Sequence, residues 1–320
     1  MFLSVIIPVY NTESYLQNCF NSLYNQDIDN EDYELIVVND GSTDSSLQII
    51  EENKERFAHF TLFNQKNSGQ SVARNNALKA AQGQYIWFVD SDDFIEPYCL
   101  GTIRQILNRF LPDVFAFCAD DVFKKGNVQR QHYHDYKPDS IIPGLKFLTL
   151  WQYRNCVPFY LFQRNFFQKY SFCFKEGIIH EDNELLPQIF YRAKQVYLYD
   201  KILYHINLSE FSTMRSEKPK RSFNLLTVAC SLTDFMNQNV EEKDKKFFAQ
   251  HIAFAVNGSL RYAQKLPHSK RVELENMWKE HRTVFSSLRE SCKLKYKAEG
   301  FLLKYFPTQM FWLIRLWYSR

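Results

Sequence analysis

Short apolar runs alternate with amphipathic helical patterns over the first hundred residues. Four runs rich in β-branched and aromatic side chains have the length of strands buried on both faces of a sheet, and they cover residues 2–8, 33–39, 60–64 and 85–89. Helical patterns lie between them: residues 12–26, a segment with Leu47, Ile50 and Phe57 capped by Ser42 or Thr43, and residues 70–82, ended by Gly83. This alternation predicts an α/β fold with right-handed crossovers and a doubly wound, mostly parallel, Rossmann-like sheet.

The pattern changes character along the rest of the chain. Pro97 suits the first turn of a helix over 98–110, and a strand is predicted at 114–119, followed by a hairpin or loop over 120–143. A helix over 181–193 and a strand over 196–204 follow, and from about residue 220 the pattern is helical throughout. We therefore expect an α/β domain over residues 1–215 and a helical region over 216–320.

Composition and cysteine usage narrow the class of protein. With 45% apolar and 23% charged residues in 320, the chain has enough apolar residues for one large domain with an appendage or for two modest domains. The seven cysteines are scattered without a CxxC pair, which argues against a disulfide framework or a zinc ribbon and favours a reducing, cytoplasmic compartment. The first residues lack a basic segment and reach Pro8 early, so they read as a strand rather than a signal peptide.

Charge and hydropathy distinguish the C-terminal region. Residues 261–320 contain 13 Lys+Arg and 5 Asp+Glu, a net charge of +8, whereas the first 260 residues carry −5. The acidic remainder argues against nucleic-acid binding, and the basic end suits anionic lipid or a phosphorylated acceptor. The apolar stretch 301–320 is too short between charges to span a bilayer. It fits a helix lying at the inner face of the cell membrane, or alternatively a core or homodimer-forming helix.

Polar clusters follow three of the predicted strands, at residues 10–11, 40–42 and 90–93. In a doubly wound sheet ligands bind where the carboxyl ends of the strands emerge, so one crevice gathers these clusters. Three carboxylates within residues 90–93 repel one another, and their hard oxygens suit Mn²⁺ or Mg²⁺ holding phosphates; a solvated helix-capping turn is the alternative. Asp40 suits a base NH or a ribose hydroxyl, or an ordinary Asp-Gly turn.

Four segments, taken in order, resemble the inverting family 2 glycosyltransferases, a group of bacterial polysaccharide enzymes with the GT-A fold. They read SVIIPVYNTESYL, VVNDGSTDSS, NSGQSVARNNAL and FVDSDD, and the match spans residues 3 to about 98. The resemblance implies a GT-A fold with a C-terminal helical extension. It also implies donor-binding roles for Pro8, Val9, Tyr10, Asn11, Asp40, Gly69, Arg74, Asp90 and Ser91.

The resemblance gives several of these residues specific tasks. Asp40 would hold the uracil or its ribose, Asp90 would touch the donor ribose or sugar, and Asp92 would ligate the metal. Arg74 would lie near the sugar or diphosphate; its guanidinium suits a bidentate phosphate contact, with a surface salt bridge as the alternative. Asn75 and Asn76 are poor helix formers, which fits either a site or a solvated helix end.

The acceptor side requires a general base that takes a hydroxyl proton as the sugar carbon is attacked. The segment His180-Glu181-Asp182 resembles the family's Glu-Asp motif, which implies Asp182 as the base and Glu181 as an orienting residue or alternative base. Acidic residues that favour a helix N-terminus through its dipole are the alternative. His205 lies where some relatives have a third metal ligand or phosphate contact, although a structural histidine fits better. Residues 209–215 resemble the family's loop near the pyrophosphate, with departures in detail.

These observations predict a metal-dependent inverting glycosyltransferase. Its donor is a nucleotide sugar, best read as a UDP-sugar, and its acceptor is a hydroxyl of a lipid-linked or oligosaccharide molecule in polysaccharide or capsule biosynthesis. A sugar-phosphate nucleotidylyltransferase is disfavoured because no glycine-rich GxGTR-like segment follows the first strand, and a dehydrogenase because GxGxxG is absent there. A non-catalytic nucleotide-sugar-binding subunit is the remaining alternative.

Overall fold

A computed structural model describes residues 1–123, 128–132, 137–150, 155–208, 219–306 and 309. Within these residues ten strands form one sheet. The strands are β1 (Leu3–Val9), β2 (Tyr33–Asn39), β3 (Phe60–Asn64), β4 (Tyr85–Phe88), β5 (Phe94–Ile95), β6 (Val114–Val122), β7 (Val128–His132), β8 (Ser140–Ile142), β9 (Tyr160–Gln163) and β10 (Val196–Asn207).

Helices connect the strands and make up the C-terminal part of the described chain. They are α1 (Glu13–Tyr24), α2 (Ser46–Asn53), α3 (Gln70–Ala80), α4 (Leu100–Phe110), α5 (Gly144–Thr149), α6 (Arg164–Lys169), α7 (Glu181–Arg192), α8 (Lys220–Asn239), α9 (Lys245–Ala263), α10 (His268–Glu280), α11 (Thr283–Ser287) and α12 (Leu294–Tyr305). Short 3-10 turns lie at Asn30–Asp32, Lys54–Arg56, Val157–Phe159, Glu242–Asp244 and Leu288–Glu290. Among the described helices, none combines the length and hydropathy that a membrane span requires.

The sheet has a parallel half and a mixed half. Its order is β3-β2-β1-β4-β9-β6-β10-β5, and the first four strands are parallel. β9 runs antiparallel to both β4 and β6, whereas β6 and β10 are parallel to each other. The short strands β5 and β8 pair antiparallel with β10, and β7 pairs antiparallel with β6. The predicted α/β class is confirmed, and the antiparallel β9 is the feature that the sequence pattern does not indicate.

The core of the sheet lies where the sequence is most continuously apolar. Every residue of β1, β2 and β4 is buried, as expected of strands covered on both faces. Gly83, after α3, approaches β1 so closely that a Cβ there would lie 2.4 Å from the backbone nitrogen of Ser4. The Gly83 amide donates to the hydroxyl of Ser4 and to the carboxylate of Glu34, so the chain turns tightly into β4.

The second helix begins later than the sequence predicts, so the prediction that Ser42 or Thr43 caps it is wrong. α2 starts at Ser46, and its first amides are satisfied by carboxylates: Asp44 accepts from the Ser46 amide, and Glu13 accepts from the Ser45 amide. Ser42 and Thr43 instead contact Asn11 after β1. Acidic oxygens can replace hydroxyls as acceptors at a helix N-terminus, which moves the boundary along the chain.

The chain divides into two compact units. The first unit comprises Met1–Gly177 and Arg192–Arg215, and the second comprises Ile178–Tyr191 and Ser216–Arg320. In place of a single boundary after residue 215, the chain passes between the units three times, because residues 178–191 group with the helical unit.

The second unit is held by aromatic packing between helices. The ring of Tyr191 meets Phe235 of α8 and Phe248 of α9 edge-on, with centroids 6.2 and 6.1 Å away, and the last two rings stack at 5.4 Å. α8 and α9 also exchange two hydrogen bonds of 2.7 Å, each from a serine hydroxyl to the other serine's carbonyl, at Ser222 and Ser259. The Tyr191 contacts tie α7 to α8 and α9, and the serine pair ties α8 to α9.

Candidate active site

The end of β1 places a polar corner beside the turn after β2. Pro8 and Val9 are buried in the sheet, whereas Tyr10 and Asn11 are exposed at its end. Asn11 adopts a left-handed φ of 52°, which asparagine tolerates better than most residues. Its backbone amide donates to the Ser42 hydroxyl at 3.2 Å, and its side-chain carbonyl accepts from the Thr43 amide at 2.8 Å. The first two predicted polar clusters therefore meet.

Asp40 organises the loop that leads into α3. Its buried carboxylate accepts from the amides of Ser68 at 2.8 Å and Gly69 at 2.9 Å, and from the side-chain amide of Gln65 at 2.8 Å. Gly69 has a φ of 92° and caps α3, with open space where a Cβ would project. A backbone of this kind favours glycine, and it leaves a side-chain-free surface at the start of the helix. The predicted donor residues Asp40 and Gly69 are thus direct partners.

Arg74 of α3 reaches the acidic turn, residues 90–93, from inside the fold. Its guanidinium is buried and donates to Asp90 Oδ1 at 2.7 Å, and Gln70 donates to the same oxygen at 2.9 Å. The guanidinium also lies over the ring of Phe174, 5.0 Å from its centroid. Arg74 therefore forms a buried ion pair rather than the surface salt bridge considered as an alternative.

The two asparagines that follow Arg74 form hydrogen bonds with other parts of the protein. Asn75 exchanges two hydrogen bonds with the backbone of Phe174, its amide donating at 2.9 Å and its carbonyl accepting at 2.8 Å. Asn76 donates to the Gln65 side-chain carbonyl at 2.8 Å. Their low helix propensity is offset by these bonds, which position Phe174 against Arg74 and Gln65 against Asp40.

The acidic turn combines residues in different environments. The Asp90 side chain is 26% exposed, Ser91 is buried and accepts from the Thr12 hydroxyl at 3.0 Å, and Asp92 is half-buried. Burial, together with the charge of Asp90, raises the pKa of Asp92 from 3.8 to about 6. A carboxyl with such a pKa is mostly ionised at pH 7 but takes up a proton under mildly acidic conditions, and a nearby cation would favour its charged form.

Asp93 is a structural member of the turn. Its buried carboxylate accepts from the Tyr204 hydroxyl and from the Asn207 amide, both at 2.9 Å. Burial, reinforced by the charges of Asp92 and Asp90, raises the pKa of Asp93 well above its usual value. The Asp90 amide donates to the Tyr204 hydroxyl at 3.0 Å, and the Asn207 side chain donates to the Asp92 carbonyl at 2.5 Å. The end of β10 therefore clamps the turn.

His205, the other candidate metal ligand, is enclosed by carboxylates. Its Nδ1 lies 2.6 Å from Asp120 Oδ1 and its Nε2 lies 2.7 Å from Glu96 Oε2. The ring stacks on Phe94 at 4.6 Å between centroids. With both nitrogens occupied, His205 fits the structural alternative, linking β5 and β6 to β10. A cavity of about 470 Å³ opens beside it, lined by Tyr98, Tyr199 and Lys201 among others.

The acid pair proposed for the acceptor side lies in the second unit. Glu181 begins α7 and is buried, and Asp182 follows it half-buried. His180 has a φ of 76°, and burial together with the charge of Arg221 lowers its pKa to about 4, so its ring is neutral. Glu184, one turn along, accepts from the Ser231 hydroxyl of α8 at 2.5 Å. The donor cluster and this acid pair belong to different units.

Several contacts of the candidate site were not expected from the sequence. Tyr204 and Asn207 lie more than 110 residues from the acidic turn, and no pattern in the sequence connects them. Thr12 and Gln70, by contrast, fall inside segments that carry the family resemblance, so their positions could have indicated a role. Residues 209–215, which resemble the family's loop near the pyrophosphate, lie outside the described residues, as does most of the stretch beyond residue 306.

The sequence model described as Glycosyl transferase family 2 matches residues 4–171, more than half of the chain. The chain belongs to glycosyl transferase family 2. This family 2 member is 32% identical over 211 residues to the uncharacterized glycosyltransferase EpsJ of Bacillus subtilis, covering 63% of this chain and 60% of EpsJ.

A second relative connects sequence with solved structure. The chain is 26% identical over 281 residues to the poly(ribitol-phosphate) beta-N-acetylglucosaminyltransferase TarS of Staphylococcus aureus, covering 86% of this chain and 47% of TarS. A crystal structure of a TarS fragment with UDP-GlcNAc superposes with a TM-score of 0.74 at 23% identity, over 91% of this chain and 84% of that fragment. The GT-A fold expected for family 2 is confirmed by this likeness.

A more distant structure extends the likeness of fold. The mannosyltransferase PcManGT of Pyrobaculum calidifontis, in complex with GDP-Man and Mn²⁺, superposes with a TM-score of 0.54 at 13% identity, over 99% of this chain and 88% of that chain. The family 2 chain spans less than two thirds of the length of the curated relatives EpsJ and TarS.

Proposed function

We propose that this protein is an inverting glycosyltransferase that moves a sugar from a UDP-sugar to a hydroxyl of a lipid-linked or oligosaccharide acceptor in polysaccharide biosynthesis. One observation carries the proposal: three strand ends bring Asn11, Asp40 and the acidic turn together, with Arg74 bound to Asp90 behind them. Loop amides and a glycine-capped helix start lie at the same end of the sheet, where nucleotides bind in such folds.

A divalent cation fits the acidic turn. Mg²⁺ is commonly held by one or two carboxylates together with substrate phosphates and water, and within the described residues no group of three or more His, Cys, Asp or Glu is placed to hold a metal ion. Asp92 offers a hard oxygen ligand whose pKa of about 6 reflects unrelieved burial and the charge of Asp90, which a cation would offset. Bound Mn²⁺ or Mg²⁺ would supply Lewis-acid stabilisation of charge on the diphosphate.

The chain's own residues would perform the other tasks of the reaction. The acceptor oxygen attacks the anomeric carbon from the side opposite the diphosphate, the bond from that carbon to the diphosphate oxygen breaks, and UDP leaves. Asp182 takes the acceptor proton, and Glu181 orients it or serves as the alternative base. Because the pKa of His180 is about 4, its ring is neutral at physiological pH and would not act as a general acid beside Asp182.

The donor can be identified by UDP release. We expect one of UDP-glucose, UDP-galactose, their N-acetylated forms or UDP-glucuronate to give release that requires Mn²⁺ or Mg²⁺. TarS, the relative of similar fold, is named for N-acetylglucosaminyl transfer, which makes UDP-GlcNAc the first donor to test. Calorimetry that detects no binding of any of these donors, with or without metal, would contradict the proposal.

Asp182→Asn separates catalysis from binding. General-base catalysis contributes about 10²–10⁴-fold, so we expect sugar transfer to fall by that range while the calorimetric affinity for UDP stays within a factor of about two. Asp234→Asn, a change of the same kind in α8 of the same unit, is the matched control and should leave transfer unchanged. Equal loss of transfer in both variants, or full activity of Asp182→Asn, would exclude Asp182 as the base.

Cell-surface polymer synthesis requires acceptors near a membrane, and the basic C-terminal region suits that location. We propose that the protein works as a peripheral protein at the inner face of the cell membrane. The +8 net charge of residues 261–320 supports this placement.

A further inference from the structure

Helix α12 exposes an apolar stripe in place of the polar face usual for a surface helix. Leu294, Phe301 and Tyr305 are 81%, 48% and 54% exposed, and Leu302 beside them is 37% exposed. The positions 294, 298, 301 and 305 recur every three or four residues, so they lie along one side of the helix. The rings of Phe301 and Tyr305 contact each other at 5.0 Å between centroids and extend the stripe over two turns.

The opposite side of α12 is fixed to the rest of the second unit. Leu303 is fully buried, and Gly300 packs so closely that a Cβ there would lie 2.5 Å from the carbonyl of Phe285. Glu299, the one acidic residue of the helix, is also buried and accepts from the Asn257 side chain of α9 at 3.0 Å. The orientation of the helix is therefore set, and its exposed side is defined.

Lysines border the exposed stripe on both sides. At 100° per residue, Lys297 and Lys304 lie on one border and Lys295 on the other, and Lys293 precedes the helix. Since Glu299 points inward, the outward side of α12 carries positive charge only. An apolar stripe flanked by lysines matches a surface whose anionic head groups lie above acyl chains, because lysine stems extend toward the head groups while aromatic rings enter the boundary.

We propose that the outward side of α12 is a docking surface for an anionic lipid bilayer. The inference rests on the peripheral placement proposed above and gives it a definite surface. Apolar stripe and lysine borders act together: the rings and Leu294 insert at the acyl boundary, and the lysines pair with phosphates. A second copy of this chain is the alternative occupant, but the positive charges on both borders would repel their equivalents across a symmetric contact.

Vesicle co-sedimentation of the full-length protein, without donor or acceptor, tests the surface separately from transferase activity. The probes are vesicles of equal parts phosphatidylglycerol and phosphatidylcholine, and vesicles of phosphatidylcholine alone. We expect binding to the anionic vesicles that weakens as salt is raised, with at least about tenfold weaker binding to phosphatidylcholine. Absence of binding to the anionic vesicles would overturn the proposal and leave the proposed transferase activity untouched.

Substitutions on α12 assign the binding to this surface. Leu294→Gln with Phe301→Gln should weaken vesicle binding at least about tenfold, because the variant lacks two apolar side chains whose transfer from water into the bilayer favours binding. Phe254→Gln, which changes an aromatic side chain 56% exposed on α9, is the matched control and should bind as the parent does. Circular dichroism of each variant checks that the helices persist. Parent-like binding by the double variant would overturn the proposal.

The charge border and the alternative occupant are tested in the same way. Lys295→Gln with Lys297→Gln should weaken binding to the anionic vesicles about tenfold or more, whereas Lys243→Gln with Lys270→Gln, an equal loss of charge elsewhere in the unit, should not. Light scattering of the parent and of the Leu294→Gln, Phe301→Gln variant measures molecular mass and so tests whether a second copy of the chain occupies the surface. A parent dimer that dissociates in that variant would overturn the lipid surface in favour of self-association.

Discussion

Three aspartates within four residues of the acidic turn have three different roles because their surroundings differ. Asp90 is the partner of the buried Arg74, Asp93 is clamped by the end of β10, and Asp92 is the half-buried carboxyl with a raised pKa. The sequence cluster indicated hard oxygen ligands for a cation, and the family resemblance implied that Asp92 ligates the metal while Asp90 touches the donor. Asp92 is the carboxyl that we propose binds the cation, and the contacts of Asp90 and Asp93 hold the turn in place.

The raised pKa of Asp92 predicts a pH-dependent stability of the metal-free protein. In the folded protein Asp92 keeps its proton up to about pH 6, whereas in the unfolded chain it loses the proton near pH 3.8. Proton binding by Asp92 therefore stabilises the folded state fully below pH 3.8, and this stabilisation is lost as the pH rises through 6. Asp92→Asn mimics the protonated form. With chelator present, we expect urea unfolding at pH 7 to give a variant about 1–3 kcal/mol more stable than the parent.

The same pair of proteins should converge in stability at acidic pH, where both side chains are neutral. Manganese should stabilise the parent and have little effect on the variant. A variant less stable than the parent at pH 7 would mean that Asp92 is not the strained carboxyl.

His205 offers a test between a metal ligand and a structural residue. His205→Gln removes one of two hydrogen bonds to Asp120 and Glu96 and the stacking on Phe94, so we expect the free energy of unfolding to fall by about 1–3 kcal/mol. Manganese affinity, measured by calorimetry with UDP, should stay unchanged. His59→Gln, at a histidine whose side chain is 41% exposed and pairs with Glu31, is the control and should change stability by less than about 0.5 kcal/mol. A loss of manganese affinity would make His205 a ligand.

At the scale of elements, the end of β10 holds the acidic turn in place through hydrogen bonds. Tyr204 lies at the centre of this support, accepting from the Asp90 amide while donating to Asp93, and Asn207 three residues on completes the clamp. The turn between β4 and β5 is thereby held at both ends by a strand distant in the sequence. Positioning by a rigid strand is a common way to fix the geometry of a site carried on a loop.

Tyr204→Phe should loosen this clamp. The variant leaves the buried Asp93 with one donor fewer, so we expect a loss of about 1–3 kcal/mol in stability together with weaker metal-dependent UDP binding. Tyr85→Phe is the matched control: its hydroxyl is equally buried and donates to the Pro112 carbonyl at 2.9 Å, away from the turn. Both variants should unfold more easily, and only Tyr204→Phe should lose UDP affinity in calorimetry. Equal UDP affinity in the two would show that the clamp serves stability alone.

The elements of the first unit differ in how far the sequence predicts them. β1, β2 and β4 are predicted within one or two residues, because strands buried on both faces are continuously apolar. β9 is missed because a four-residue strand with two aromatic residues does not indicate strand direction, and its antiparallel placement between β4 and β6 depends on long-range pairing. Among site residues, those in local motifs are predicted, whereas Tyr204 and Asn207 depend on contacts that no local pattern encodes.

At the scale of the whole molecule, donor chemistry and lipid docking map to separate stretches of the chain. Hydrogen exchange can follow both. UDP-sugar with manganese should slow amide exchange in residues 65–76 and 90–93 and leave residues 294–305 unchanged, since ligands protect the backbone they order. Anionic vesicles should slow exchange in residues 294–305 instead. Protection of residues 294–305 by the nucleotide alone would contradict this separation.

The threading of residues 178–191 into the helical unit bears on how such enzymes can be rebuilt. A chimera that takes only residues 1–215 from this chain would contain the candidate donor site and α7 but would lack α8 and α9. Tyr191 and Glu184 of α7 would then lose their partners in those two helices. Asp182, the general base that we propose, would then lie on a helix without these partners. A chimera designed to keep α7 with its partners must therefore take residues 178–191 and the C-terminal helices from the same parent protein, although the two segments are separate in the sequence.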